Sequence, residues 1–255
     1  INKNSIYHAS NSSYNISLGG SHLLSDNING VFKQVMDLDK NIKNNFYYST
    51  SKYFNNSYDV IQLGYCLNHN SKKNISFGVI KRSIDNNFET SLSWIEDVDG
   101  PSFDEINYSE IDKFMDNELG FLFSYTSKIN KNFSFSIKLK PHYHKIHNTE
   151  GYGFATDFIL HKHLNGLDFI MGMEDLLAFK KWQSGITENF IPNGYINISK
   201  KINNFLLAYE YDNYRRDIYS LDIEVLENIF LRFSNNKINN IVGGFGIKTE
   251  FIEFN

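Results

Sequence analysis

Charged residues fall at two-residue spacing inside runs of large apolar side chains. Glu210 and Asp212 alternate with Leu207, Tyr209 and Tyr211, and Asp222 and Glu224 alternate with Leu221, Ile223 and Val225. Arg232 sits in the same polar register one segment later, in I-F-L-R-F. Two-residue spacing puts such groups on one face of a strand, where they are able to pair across strands or contact a ligand. The sequence predicts a network of Glu210, Asp212, Asp222, Glu224 and Arg232, with Arg232 paired to Glu224. Two further clusters have ligand chemistry. The acidic stretch from Glu96 to Glu118 contains Asp97 and Asp99 in D-V-D-G, which begins like a calcium loop, but Gly100 comes too early for EF-hand spacing. A solvated loop is expected there, with Asp97 and Asp99 as weak metal candidates. Five of the eight histidines lie between His142 and His163 as H-x-H pairs plus His147. His142 and His144 share one strand face, a usable metal geometry. With a hairpin turning near His147, the second pair, His161 and His163, lies roughly 30 Å away at about 3.3 Å per residue, so the two pairs do not form one site.

Enzyme chemistry is not expected. The chain has no G-x-S-x-G, no H-E-x-x-H and no P-loop. No cofactor is expected either. A net charge of −4 leaves no basic stripe for nucleic acid. The single cysteine, Cys66, excludes an internal disulfide and reads as a small packing residue.

The elements that hold these residues announce themselves by strict alternation. Phe133, Phe135, Ile137 and Leu139 alternate with Ser134, Ser136, Lys138 and Lys140. This is the period of a two-sided strand, and helices do not produce it. The pattern predicts strands near 46–54, 58–68, 74–84, 88–96, 117–128, 131–144, 151–163, 166–175, 191–201, 203–213, 217–227, 228–235 and 239–248, joined by short polar turns. Tyr14 to Gly20 reads as a further short strand, and Ser21 to Asp39 as a short helix or plug. One domain is expected over 1–255, with 1–45 as N-terminal strand and plug and 46–255 as barrel strands. A soluble sandwich gives the same alternation with its apolar row inside. Strand lengths near the 9–11 residues of a tilted membrane strand, with Tyr and Phe at strand ends, favour an all-β, antiparallel, up-and-down transmembrane barrel of about 12–14 strands. The decisive expectation is that Phe133, Phe135, Ile137, Leu207, Tyr209, Leu221 and Ile223 lie outside. A chain beginning at Ile1 without an apolar leader is expected to be a processed protein or a fragment.

Several motifs from Asp97 onward resemble the PorV/PorQ family of bacterial outer-membrane barrels, related to FadL-type transporters. W-I-E-D-V-D-G (94–100) leads to L-G-F-L-F-S-Y (119–125) and F-S-F-S-I-K-L-K (133–140). G-Y-G-F-A-T-D-F-I-L (151–160) is similar to the family's G-x-G-F-x-x-D strand, and Trp182, Ile191-Pro192, L-D-I-E-V, I-F-L-R-F and G-G-F-G-I-K (243–248) follow in order. The resemblance implies an outer-membrane location in contact with lipid. It also implies a role in secretion or surface attachment through a cargo protein or secretion-system subunits. FadL-like passage of apolar molecules and a soluble binding module are the alternatives. S-L-G-G-S and G-V-F-K-Q depart from the family's N-terminal pattern. The family continues through a final hairpin beyond G-x-G-I-K, so a truncated C-terminus is expected, with an unpaired edge at Ile241 to Ile247 or just after it.

Overall fold

The computed structural model describes residues 6–9, 18, 20–25, 35–36, 45–53, 58–70, 72–89, 111–213, 216–237, 240–248 and 253–254. A single 3-10 turn, Ile6–Ala9, precedes two short parallel strands, β1 (Leu24–Ser25) and β2 (Val35–Met36). These residues are extended, which corrects the expected short helix at their positions. The predicted strand at Tyr14 to Gly20 lies almost wholly outside the described residues; Leu18 and Gly20 are in turns.

The main sheet begins with β3 (Asn45–Tyr53), β4 (Tyr58–Asn70), β5 (Lys73–Glu89), β6 (Asp112–Asn130) and β7 (Phe133–Ile146). It continues with β8 (Thr149–Leu164), β9 (Leu167–Trp182), β10 (Thr187–Asn189), β11 (Asn193–Ile202) and β12 (Phe205–Asp212). It ends with β13 (Arg216–Leu226), β14 (Ile229–Asn236), β15 (Asn240–Lys248) and β16 (Glu253–Phe254). These make one 14-stranded antiparallel sheet in which each long strand pairs with its sequence neighbour, while β10 folds back on β9. Twelve of the thirteen expected segments thus become strands of an up-and-down sheet. Of the segment at 88–96, Phe88 and Glu89 close β5, and residues 90–96 lie outside the described residues. Among the described residues no pairing joins β3 to β15 or β16, and β16 covers β15 at Ile247 and Lys248 alone. Most of the outer edge of β15 is therefore unpaired there.

Turn chemistry explains the order. Asn165 and Gly166, both at positive φ (52° and 76°), link β8 to β9 as the two-residue turn that matches strand twist. Asn203 and Asn228 take the same left-handed conformation between β11 and β12 and between β13 and β14. Asparagine tolerates it because its short amide bonds locally.

The two faces are opposite to those of a soluble sheet. Ile137, Leu139, Leu207 and Tyr209 are exposed (39%, 42%, 48% and 37%), Phe133, Phe135, Leu221 and Ile223 are half-exposed, and none is buried. Lys138, Lys140, Glu210, Asp212 and Arg232, in the alternate register, are buried. The polar row therefore lines the interior of a barrel-like sheet. Cys66 belongs to that row, where the Asn74 amide donates to its Sγ at 2.8 Å.

Candidate functional site

The interior is a set of ion-pair clusters, one of which is made by a backbone irregularity. The register between β8 and β9 shifts between Thr156 and Phe158, and Asp175 takes a positive φ of 54°. A bulge adds residues to one strand and re-aims its side chains. Glu174 thereby stays in the inward row while the next residue, Asp175, is buried as well. Lys140 meets Asp157 at 2.5 Å and Asp175 at 2.7 Å, and the Asp175 amide donates to Asp157 Oδ1 at 2.9 Å. The Lys140 ammonium also lies 5.1 Å from the Tyr7 ring centroid.

Toward the 147–148 turn, Arg82 and Lys180 converge on Glu118 at 2.8 and 2.9 Å. Lys180 donates to His144 Nδ1 at 2.8 Å, which leaves His144 Nε2 as donor to Asp116 Oδ1 at 2.6 Å. Asp116 and Glu118, read from sequence with a solvated loop, belong to β6, because that strand already starts at Asp112. Asp97 and Asp99 lie outside the described residues. His142 and His144 both face inward but share no ligand group: His144 is held by Asp116 and Lys180, while His142 packs edge-on to Tyr7 and Phe190. At the opposite end of β8, His161 Nε2 and His163 Nδ1 flank Asp168 at 3.0 and 2.8 Å.

The five residues read as one network separate into two places. Arg232 pairs with Asp222 (Nε to Oδ2, 3.4 Å) and not with Glu224. The reason is register: a bulge between Glu224 and Leu226 sets Arg232 opposite Asp222 and Glu224 opposite Phe230. The Glu224 carboxylate instead accepts the Asn228 amide at 3.3 Å. Glu210 and Asp212 belong to another cluster, with His22, Glu174, Asn193 and Asn197.

His22 comes from the N-terminal segment. Its Nδ1 lies 3.0 Å from Glu210 Oε1, its Nε2 lies 3.0 Å from Glu174 Oε1, and its backbone amide donates to Glu210 Oε2 at 2.6 Å. Its ring stacks on Tyr195 at 3.6 Å and 9°. Gly172 permits this, since a Cβ there would come within 2.4 Å of the Tyr195 ring. Burial opposes charge on the imidazole, but Glu210 and Glu174 outweigh it and raise the His22 pKa. A raised folded pKa contributes stability that is fully present below the ordinary value near 6.5 and is lost as pH rises through the shifted value. Raising pH above neutrality is therefore expected to lower the amide-exchange protection factors of His22 and Leu23, which measure exchange relative to its intrinsic base-catalysed rate. The slope should shrink in Glu210→Gln, where Glu174 alone still favours the charged imidazole. A slope unchanged in that variant would refute the linkage.

A second anchor comes from Tyr7. Phe121 faces Pro141, which has no N–H, so the Phe121 carbonyl loses its ladder donor. The Tyr7 hydroxyl supplies it at 2.8 Å and lies 2.7 Å from the Pro141 carbonyl. Gly120 makes room, because a Cβ there would meet Tyr7 at 2.9 Å. Burial and then the nearby Glu118, Asp157 and Asp175 push the phenol above its ordinary range, keeping the proton needed for donation. Tyr7→Phe should cost about 1–3 kcal/mol by leaving a buried carbonyl unpaired. Urea unfolding checks this, and a loss well under that range would show that water replaces the hydroxyl.

No family model and no curated protein matches this chain. Among solved structures it is similar to the KdgM porin in complex with disordered oligogalacturonate, at 10% identity and a TM-score of 0.37, over 80% of this chain and 97% of that one.

The Lys140, Glu118 and His22 centres escaped sequence reading as centres, although most of their wall residues lie in polar registers. His22 and Tyr7 carried no periodic signal, and Lys180 lay beyond the predicted end of its strand.

Proposed function

We propose that this chain is an outer-membrane β-barrel whose lumen is occupied by its N-terminal segment. We propose further that it acts in protein secretion or surface attachment by binding a partner protein at its lumen mouth and loops. The observation that carries the reading is the reversed sheet: large apolar side chains outward, charged side chains buried inward. In water such a band is an aggregation hazard, whereas in lipid it is the required surface. Strands such as β5 and β6, at 17 and 19 residues, exceed the length needed to cross a bilayer and extend beyond it.

The secretion role rests on the PorV/PorQ-like motifs and is consistent with an interior crowded by ion pairs. Passage of apolar molecules in the FadL manner finds little support in a lumen lined by Lys138, Lys140, Asp157, Glu210 and Arg232. Catalysis at these groups is not proposed; Lys140 pairs with Asp157, Glu210 with His22 and Arg232 with Asp222.

Planar-bilayer recording tests the reading. The full chain is expected to insert and stay closed or conduct weakly, and removal of residues 1–23 is expected to raise conductance. In the cell, loss of the protein should deplete particular exported proteins from the surface while uptake of apolar solutes is unchanged. A steadily open pore in the full chain, or an uptake defect with normal export, would overturn this function.

A further inference from the structure

The N-terminal segment meets the wall at a group of side chains with metal-ligand geometry. His22, Glu210 and Asp212, all buried, each offer one ligand atom, and these atoms lie within 4.8 Å of one another. Glu174 adds a third carboxylate against the same imidazole. Asn193 spans the group, its Nδ2 donating to Asp212 Oδ2 at 3.0 Å and to Glu174 Oε2 at 3.2 Å. Asn197 donates to Glu210 Oε2 at 3.1 Å. The carbonyl oxygens of both amides, Asn193 Oδ1 and Asn197 Oδ1, are buried without a hydrogen-bond partner among the described residues, in residues 2% and 0% exposed. A buried amide oxygen left without a donor is costly, and a cation is one of the few things that would satisfy it at an acidic site.

We propose that His22, Glu210 and Asp212 bind a first-row divalent cation such as Zn²⁺, fastening the N-terminal segment to the barrel wall. Mixed imidazole and carboxylate donors suit such an ion better than Ca²⁺ or Mg²⁺, which take oxygen donors. The cation takes the place of the proton on one imidazole nitrogen, so that proton is released as the ion binds. Rotation of the Asn193 amide would turn its Oδ1 toward the group. The inference rests on the reading that the N-terminal segment lies within the lumen.

The test is equilibrium dialysis of Zn²⁺ against the full chain folded in detergent, with folding followed by heat-modifiable mobility. About one ion per chain is expected. His22→Ala and Asp212→Asn should each weaken binding by at least about tenfold, and Asn193→Ala should weaken it in the same direction. Asp168→Asn, at the distant His161 and His163 pair, should leave binding unchanged. Absence of stoichiometric binding, or binding that depends on Asp168 and not on His22, overturns the proposal. Where a variant fails to fold, His22→Gln serves in its place. Zn²⁺ binding with the expected residue dependence, in a protein lacking any heat-modifiable band, would uphold the site and defeat the membrane reading instead.

Discussion

Leu139→Arg is expected to destabilise the bilayer-folded protein by about 2–4 kcal/mol, the cost of an arginine facing lipid near the bilayer midplane. Leu139 lies midway along β7, in its outward row, and is 42% exposed. In water the same exposed position would accept arginine within about 0.5 kcal/mol, since surface substitutions away from special features rarely cost more. Thr149→Arg, at the exposed start of β8, should fall within that small range and serves as the control. Urea unfolding from lipid vesicles, followed by the fluorescence of Trp182 and its neighbours, measures both. Equal small effects would mean that the apolar row faces water.

Lys140→Met should cost about 3–5 kcal/mol, because it removes the cation between two buried carboxylates and leaves them facing each other. Asp157 and Asp175 are both under 5% exposed, and they share Lys140 while the Asp175 amide already binds Asp157. Adding Asp157→Asn to Lys140→Met should recover part of the loss, since one of the uncompensated charges is then gone. The same unfolding titration reads it. A nearly silent Lys140→Met would show a lumen wet enough to solvate both acids, and would undo the description of a packed interior.

The strands were legible because a period of two survives from residue to residue without any knowledge of neighbours. F-S-F-S-I-K-L-K declares β7 and its two faces at once. Periodicity alone did not decide which face met solvent; the exposure of Ile137 and Leu207 beside the burial of Lys138 and Glu210 did. Bulges were not legible. The one near Val225 set Arg232 opposite Asp222, where the Leu226–Ile229 pairing continued without a bulge would have put it opposite Ile223, and the one at Asp175 carried β9 on to Trp182 and turned two consecutive acids inward. A bulge depends on the fit between two strands, and a single strand's sequence holds only half of that information. The contacts of the N-terminal segment were illegible for a related reason. Tyr7 answers a missing N–H at Pro141, and His22 answers carboxylates on β9 and β12, demands that exist only once the wall is assembled.

The outward face meeting lipid is the claim on which the rest depends. Spin labels placed in turn at Phe123, Ile137 and Leu139, in a Cys66→Ser background and reconstituted in vesicles, measure it by relaxation with oxygen and with a water-soluble nickel complex. All three sites should favour oxygen, with Phe123 and Leu139, which face each other across β6 and β7, at similar depth, while a label at Thr149 favours nickel. Greater nickel accessibility at Phe123, Ile137 and Leu139 would place the apolar rows in water and contradict the membrane barrel.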